Sequence, residues 1–315
     1  MENHEGKHVI FGTGAVGMAV WRELKRQGIE DVVLINRSGR SPGEPQARVL
    51  QGDAVNASEA ARLSQGASVV YHCAQPGYLN WPKAFPALTD GILEGAAASG
   101  AKLVFADNLY MYGRVDSPLT ESLPYRPAGS KGTVRAEMAE KLLEAHRAGK
   151  ARVAIGRASD FYGPGALQSF LGERVFGFAL RGKPVDVLGD PDLPHTYTYI
   201  DDFGRGLATL GSEDRALGAA WHVPSAETIA TRQLVGLLFE ELGAEGKVRT
   251  TTRGLASALG LFVPMMREIK EILHEFERPF VVDHGRFEAA FGRMETTPHR
   301  EAVKRTVAWY RNMLK

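Results

Sequence analysis

The sequence contains a single cysteine, Cys73, among its 315 residues, so no internal disulfide can form. This suits a reducing compartment. The formal net charge is only +1, which gives no bulk attraction to nucleic acid or to a membrane surface. No run approaches the roughly 18 apolar residues of a membrane-spanning helix, and the first seven residues lack an apolar signal core. We expect a cytoplasmic protein with no nucleic-acid or membrane partner, and we predict no metal.

The composition is ordinary, and alternating segments predict an α/β fold. Hydrophobic residues make up 44% and charged residues 24%, as in globular proteins. Apolar runs without polar alternation, typical of buried parallel strands, occupy residues 7–11, 31–36, 47–51, 68–73, 102–106 and 151–156. Helical patterns occupy residues 17–27, 58–64, 84–99 and 132–148. This alternation predicts a doubly wound parallel sheet with helices on both faces.

The two halves of the chain differ in their regularity. Residues 1–165 are predicted to form a Rossmann-like domain, to which the chain returns near residues 195–225. Residues 166–315 are less periodic, and we expect them to form mainly a smaller C-terminal substrate lobe interleaved with the sheet. Within this half, the apolar run 261–266 is too short to span a membrane. It is interpreted as core, or alternatively as a lid or a dimer surface.

The most informative motif is the G-x-G-x-x-G turn that follows the first strand. Gly12 permits the tight turn, Gly14 lets the backbone approach a pyrophosphate, and Gly17 lets the helix pack on the strand. The helix N-terminus offers N–H groups and a partial positive charge to phosphates. The pattern predicts a dinucleotide-binding turn; the alternative is a structural turn without a ligand. The residues of the turn are Gly12, Thr13, Gly14, Ala15, Val16 and Gly17.

The end of the second strand indicates which dinucleotide is bound. An acidic residue there would bind the ribose 2′-hydroxyl of NAD and repel a 2′-phosphate. This sequence has Asn36, Arg37 and Ser38 instead, with Arg40 close behind. Arg37 can stack on adenine and pair with the phosphate, and Ser38 can donate a hydrogen bond. We predict NADP in preference to NAD; the alternative is a solvated basic loop.

The third and fourth strands also end in candidate cofactor contacts, because ligands of open α/β sheets bind at the carboxyl ends of the strands. Asp53, followed by Ala54, can accept a hydrogen bond from the adenine amino group, or it can cap the next helix. Cys73, Ala74 and Gln75 should run beside the adenosine ribose. The Cys73 thiol is interpreted as a packing group rather than a nucleophile.

Four further segments make the chain resemble the extended short-chain dehydrogenase/reductase family, the NAD(P)-dependent epimerase/dehydratase group. The segments are residues 104–113, 120–122, 156–165 and 195–202. The resemblance covers residues 7–225. It implies a Rossmann-like domain with a small substrate lobe, and a homodimer. It also implies cofactor contacts from Asn108, Arg157, Ala158 and Ser159.

The chain departs from this family at the usual catalytic pair. Members use Tyr-x-x-x-Lys on a helix, a spacing that places both side chains on one face, together with an upstream serine. None of the nine tyrosines is followed by lysine four residues later. One register puts Gly132 and Ala136 at the two positions. A shifted register puts Pro127 and Lys131 at these two positions. At the position of the upstream serine the chain has Asn108.

Tyr110 is the candidate replacement for the missing acid. It follows the fifth strand, where its phenol could donate a proton to a substrate carbonyl. Lys131 or Arg135 would supply nearby positive charge, and Asn108 would hydrogen-bond the substrate oxygen. Alternatively, Tyr110 is an aromatic wall, and both cations are solvated helix residues.

We expect an aromatic-walled pocket for a polar or glycosyl-like small molecule. Its candidate contacts are Tyr78, Trp81, Tyr110, Asp160, His195 and Tyr197. Asp160 could act as acid or base, or orient backbone near the nicotinamide, and His195 could instead be a surface loop residue. One function hypothesis is an NADP-dependent oxidoreductase or epimerase acting on a small carbonyl or hydroxyl compound. A second is a non-catalytic NADP-binding redox sensor. A third is a nucleotide-sugar enzyme, which the substrate lobe allows, although no specific diphosphate clamp can be identified in the sequence.

Overall fold

The computed structural model describes residues 6–41, 43–259 and 264–313. The apolar run 261–266 falls outside the residues whose side chains are described. In chain order the strands are β1 (Lys7–Phe11), β2 (Val32–Asn36), β3 (Val49–Gln51), β4 (Ala67–His72), β5 (Lys102–Asp107), β6 (Arg152–Arg157), β7 (Asp160–Tyr162), β8 (Val185–Leu188), β9 (Pro194–His195), β10 (Tyr197–Tyr199), β11 (Ala220–His222), β12 (Ile229–Ala230) and β13 (Val248–Thr251).

The helices surround the strands. In chain order they are α1 (Ala15–Arg26), α2 (Ala57–Ser64), α3 (Trp81–Ser99), α4 (Ser130–Arg147), α5 (Phe178–Leu180), α6 (Ile200–Ser212), α7 (Thr231–Leu242), α8 (Arg253–Leu259), α9 (Pro264–Ile272), α10 (Gly285–Phe291) and α11 (His299–Met313). Short 3-10 turns at Tyr110–Tyr112 and Leu273–Phe276 also reach the candidate site.

Seven strands form one parallel sheet in the order β3-β2-β1-β4-β5-β6-β11. The strand order reverses between β1 and β4, which opens a crevice at their carboxyl ends. The predicted Rossmann-like, doubly wound parallel sheet is therefore confirmed. All six strands expected from apolar runs are present.

Helices cover both faces of the sheet, which explains why its strands are apolar throughout. On one face α1 packs on α6, and on the other α2 packs on α3, which packs on α4. Val9 and Ile10 are adjacent in β1, so their side chains point to opposite faces, yet both are fully buried. Each belongs to a separate core cluster.

The rest of the chain builds a second core beside the sheet. Residues such as Tyr162, Tyr197 and Leu234 pack together there, and α7 and α11 both contribute buried side chains to it. The chain returns to the sheet through α6 and β11, while the division at residue 165 stays a prediction. In the part of the chain described above, no helix is long and apolar enough to cross a membrane.

Candidate functional site

The glycine turn after β1 is held by close backbone contacts. A Cβ placed on Gly12, whose φ is +105°, would lie 2.6 Å from the Ala74 nitrogen. One on Gly17 would lie 2.0 Å from the Gly12 carbonyl oxygen. A Cβ on Gly14, by contrast, would meet no atom within 4 Å. Two glycines therefore allow the packing, and the third faces open space at the start of α1.

The N-terminus of α1 is left without a side-chain cap. Gly14 precedes the helix in an extended conformation, and the first turn contains no acidic residue. The first N–H groups of a helix have no partner within the helix, and together with the helix dipole they favour an anion. This open, uncapped end fits the pyrophosphate of a dinucleotide.

The loop after β2 is organised by the Asn36 side chain. Its amide nitrogen donates to Thr13 Oγ1 at 2.8 Å and to the Arg40 carbonyl at 2.8 Å. Its oxygen accepts from the backbone nitrogens of Ser38, at 3.0 Å, and Gly39, at 2.6 Å. Arg37 and Arg40 are exposed, and neither pairs with an acid among the described residues. A fixed loop thus carries two uncompensated cations beside the glycine turn.

The helix that follows β3 is capped by Asn56 and not by Asp53. Asn56 caps α2 by accepting from the Glu59 nitrogen at 3.1 Å. Asp53 accepts from the Val55 nitrogen at 3.1 Å and is exposed. The interpretation of Asp53 as the helix cap is therefore wrong, and its contact with adenine stays a prediction.

The residues after β4 line the same edge of the sheet. The Cys73 nitrogen donates to the Phe11 carbonyl at 2.9 Å, next to the glycine turn. Burial raises the pKa of the Cys73 thiol, so the thiol is a poor nucleophile at neutral pH. Ala74 is half-buried and Gln75 is exposed. Their contact with a ribose stays a prediction.

Aromatic side chains gather beyond the ends of β4 and β5. Asn108 accepts from the Tyr110 nitrogen at 3.2 Å and starts the turn that carries Tyr110 out of the strand. The Trp81 ring centroid lies 5.1 Å from that of Tyr78 and 6.2 Å from that of Tyr110. The fold thus brings together Tyr78, Trp81 and Tyr110, three of the expected pocket residues.

Two cations of α4 face this aromatic group from one helix face. Lys131 is 1% exposed, pairs with Glu268, and has its Nζ 4.3 Å from the Tyr78 ring centroid. The Arg135 guanidinium lies 4.5 Å from the Trp81 ring. The interpretation of both cations as solvated is therefore wrong. Burial lowers the pKa of Lys131 and of Arg135, against the opposing effect of neighbouring carboxylates.

In one register of the family pattern the catalytic tyrosine falls at Gly132, where the structure has no room for a side chain. A Cβ on Gly132 would lie 2.5 Å from the Tyr110 carbonyl oxygen and 2.9 Å from Pro127 Cβ. The inward face of α4 instead carries Lys131 and Arg135, one turn apart. This face therefore presents two cations and no phenol.

A buried charge cluster supports the carboxyl end of β5. Asp107 accepts from Arg135 Nη1 at 3.2 Å and from Arg157 Nε at 3.1 Å. Burial alone would lower the pKa of Arg157, but Asp107 and two phenols raise it overall. Arg157 Nη1 donates to the Tyr112 hydroxyl, which lies 2.9 Å from His222 Nε2. This cluster is the scaffold of the site.

The Arg157 side chain is not exposed to a ligand, contrary to what the family resemblance implied. It is 0% exposed and hydrogen-bonded to Asp107 and Tyr112. Ala158 is 1% exposed. The Ser159 hydroxyl is buried and has no hydrogen-bond partner among the described residues, so it can bond a polar group of a ligand. Of these three residues, Ser159 fits a cofactor contact best.

His195 and Asp160 form a buried pair at the start of the second core. Their side chains approach to 2.8 Å between Nε2 and Oδ2, and His195 is 2% exposed. The His195 ring is stacked against Phe276, with centroids 4.7 Å apart. The alternative that His195 is a surface loop residue is therefore wrong. Tyr197 is fully buried and bonds Thr231 at 2.7 Å, so it is a core residue and not a pocket wall.

One acidic residue of the site, Glu275, was missed by sequence reasoning. It is 2% exposed and interacts electrostatically with Asp160, Tyr78 and Tyr110. Burial, the Tyr78 phenol and the two carboxyl groups raise the pKa of Tyr110 well above its usual value. Tyr110 is therefore a neutral hydrogen-bond donor and not a phenolate. No local pattern marked Glu275, because it reaches the site only through tertiary packing.

Comparison with known proteins identifies the family of this chain. The sequence pattern of the NAD dependent epimerase/dehydratase family matches residues 9–221. The chain belongs to this family. It is 25% identical over 285 residues to a dTDP-glucose 4,6-dehydratase of Streptomyces griseus, covering 85% of this chain and 79% of that protein. It is also 25% identical over 305 residues to a 3beta-hydroxysteroid-dehydrogenase/decarboxylase of Arabidopsis thaliana, covering 86% and 67% respectively.

Solved structures agree in fold. A dTDP-glucose 4,6-dehydratase from Streptomyces venezuelae with NAD bound has a TM-score of 0.80 at 21% identity and covers 97% of both chains. A UDP-glucuronic acid 4-epimerase from Bacillus cereus, in complex with UDP-glucuronic acid and NAD, has a TM-score of 0.78 at 18% identity. It covers 98% of this chain and 99% of its own. At these sequence identities, the similarity shows a shared fold and nothing further.

Proposed function

We propose that this family member is an NADP-dependent oxidoreductase or epimerase acting on a sugar-like hydroxyl or carbonyl compound. The observation that carries the proposal is the uncapped glycine turn beside a fixed loop whose two arginines pair with no acid in the described part of the chain. The turn suits a pyrophosphate, and Arg37 with Arg40 suits a 2′-phosphate better than a bare 2′-hydroxyl. The named activities of the relatives, on dTDP-glucose and UDP-glucuronic acid, support a sugar nucleotide as the first substrate class to test.

The residues at the carboxyl end of β5 have distinct proposed roles. When bound, a nicotinamide cofactor would supply or accept the hydride. The Tyr110 phenol donates a hydrogen bond, and then its proton, to the substrate oxygen. Asn108 holds the turn that positions this phenol and keeps its amide nitrogen for the substrate. Lys131 places a positive charge near the developing oxyanion, where a desolvated site strengthens the interaction.

A second candidate function, an NADP-binding redox sensor, draws on a separate observation. The pKa of Tyr110 is raised by burial and by neighbouring acidic groups, and α4 has no tyrosine on its inward face. A weakly acidic phenol slows proton transfer. A protein that binds the dinucleotide and responds to its redox state needs no such transfer.

One experiment separates the two candidates. The protein is mixed with NADPH or NADP and tested with dTDP-glucose, UDP-glucose and UDP-glucuronic acid, following nicotinamide absorbance and product by chromatography. Turnover that is lost in Tyr110→Phe, with NADPH binding retained, supports the enzyme. Tight NADPH binding without turnover of any sugar nucleotide, ketone or aldehyde supports the sensor. Failure to bind either dinucleotide contradicts both.

A further inference from the structure

The helix α9 has an apolar side and an acidic side, which contact different parts of the molecule. Ile269 and Leu273, one turn apart, are buried in a small apolar cluster with Leu188 of β8. Glu268 and Glu271 are three residues apart, so their carboxylates lie on one side of the helix, and both contact α4. Apolar packing therefore anchors α9 beside β8, and charged side chains connect it to α4.

The Glu268 carboxylate contacts the buried cation of the candidate site. It pairs with the Lys131 ammonium group, which also lies 4.3 Å from the Tyr78 ring centroid. The Lys131 side chain is 1% exposed, whereas that of Glu268 is 27% exposed. The pair thus has its cation inside the site and its carboxylate toward solvent. While the pair holds, the Lys131 charge is not free for the oxygen of a ligand.

Glu271 caps the N-terminus of α4 from outside that helix. Gly129 precedes α4 without a side-chain cap, and the first turn contains no acidic residue. Glu271 accepts from the Ser130 hydroxyl at 3.2 Å and from the Lys131 backbone nitrogen at 3.5 Å. A Cβ on Gly129 would lie 2.5 Å from Glu271 Oε2, so glycine permits this approach. The helix dipole stabilises a carboxylate at this position, which gives α9 a second charged contact with α4.

The contact between α9 and α4 is polar, because each helix packs its apolar side chains elsewhere. Ile269 and Leu273 belong to the cluster beside β8, whereas Val134 and Met138 of α4 belong to one of the two sheet cores. Among the described residues, no apolar cluster contains side chains of both helices. A contact with few buried apolar groups opens at a lower free energy than the core.

We propose that α9 is a lid over the candidate site and that Glu268 and Glu271 latch it shut. This inference rests on the proposed function, because it concerns access to the same site. The apolar cluster beside β8 keeps the lid attached, while the two charged contacts with α4 break when it opens. Opening uncovers Lys131 and frees its ammonium group for the oxygen of a sugar-like ligand.

Hydrogen exchange of the full-length protein, followed by peptide mass spectrometry, tests the latch without a substrate. The double variant Glu268→Gln/Glu271→Gln keeps the size of both side chains and removes their charges. A charged hydrogen bond changes an equilibrium constant by about 10- to 100-fold, so the amides of α9 should exchange at least about 10-fold faster while those of β5 keep their rates. Glu277→Gln is the matched control, because Glu277 lies close in sequence but pairs with Arg253. Equal exchange of α9 in the wild type and the double variant, or the same acceleration in the control, would overturn the proposal.

Acetylation of Lys131 measures access beneath the lid. The latch keeps the open state to about one part in ten or less, so wild-type Lys131 should react much more slowly than Lys150, whose side chain is 46% exposed. In the double variant this difference should largely disappear. Asp214→Asn measures the loss of a carboxylate alone, because Asp214 pairs with Lys102 at the other end of β5 from the site. Fast reaction of Lys131 in the wild type, or a gain no larger than that of Lys102, would overturn the proposal.

Turnover separates the lid from the proposed function. With a sugar nucleotide that the wild type turns over, Glu268→Gln should lower KM by about 10-fold, because binding no longer has to break the latch. Glu277→Gln should leave KM unchanged. An unchanged or higher KM in Glu268→Gln would overturn the proposal. If the wild type turns over no sugar nucleotide, the proposed function fails, and the exchange and acetylation rates still decide whether the lid is latched.

Discussion

Replacing Asp107 by asparagine would remove the one carboxylate that holds two buried guanidinium groups. Arg135 and Arg157 donate to opposite oxygens of Asp107, at 3.2 and 3.1 Å, and all three side chains are at most 5% exposed. Asparagine has nearly the same shape, so no cavity forms. Its amide nitrogen is a donor, so one of the two guanidinium groups would face a donor instead of an acceptor.

The expected cost is large because the charges are buried. Breaking a buried ion pair by removing one partner costs about 3–5 kcal/mol, and Asp107 is a partner of two cations. Asp214 offers a matched control, since it also lies between two cations, Lys102 at 2.6 Å and Arg152 at 2.9 Å, but its side chain is 65% exposed. Exposed pairs contribute about 1 kcal/mol or less.

Urea unfolding of Asp107→Asn and Asp214→Asn, followed by circular dichroism, tests this reasoning. We expect the midpoint to fall strongly for Asp107→Asn and hardly for Asp214→Asn, with similar slopes in urea. An Asp107→Asn variant that loses less than about 1 kcal/mol, or no more than the control, would refute the role assigned to the buried cluster.

Three other predictions follow from single features of the site. Gly14→Ala should keep the urea midpoint but weaken dinucleotide binding in a fluorescence titration, because its Cβ meets only open space where the phosphates would lie. Gly17→Ala should lower both the urea midpoint and the affinity for the dinucleotide, because its Cβ would lie 2.0 Å from the Gly12 carbonyl oxygen. Because burial raises the pKa of Glu275, the contribution of this carboxyl group to wild-type stability should fall as pH rises above about 4.3 toward the folded pKa. Glu275→Gln should remove that loss, so its stability gain over the wild type should grow by about 1.4 kcal/mol per pH unit; a gain independent of pH would contradict the raised pKa.

Local patterns were sufficient to predict the sheet and the glycine turn. Strands buried on both faces need apolar residues throughout, and the close contacts at Gly12 and Gly17 need glycine, so both features are visible in a few consecutive residues. That no tyrosine is followed by lysine four residues later can likewise be seen in short stretches of the sequence. The structure adds why Gly132 cannot be replaced by a larger residue: it packs against the backbone of Tyr110.

The charges of the site could not be predicted in this way, because they depend on contacts between distant segments. Arg157 matched a cofactor position in the family pattern, yet Asp107, 50 residues earlier, holds it in the interior. Lys131 and Arg135 were predicted either to supply charge near Tyr110 or to be solvated, and only the packing of Tyr78 and Trp81 against them decides between these two interpretations. Glu275 interacts electrostatically with Asp160 although the two residues are far apart in the sequence, and the single sequence contains no pattern that relates them.

The central claim is that the glycine turn and the loop after β2 bind NADP in preference to NAD. The direct measurement is the Kd of NADPH and of NADH, by calorimetry, for the wild type and for the Arg37→Ala/Arg40→Ala variant. Charged hydrogen bonds contribute about 1.5–3 kcal/mol, so we expect the wild type to bind NADPH about 10- to 100-fold more tightly than NADH. The variant should lose this preference, because its Kd for NADPH should rise much more than its Kd for NADH. Equal affinity of the wild type for both dinucleotides, or a preference that survives in the variant, would contradict the account.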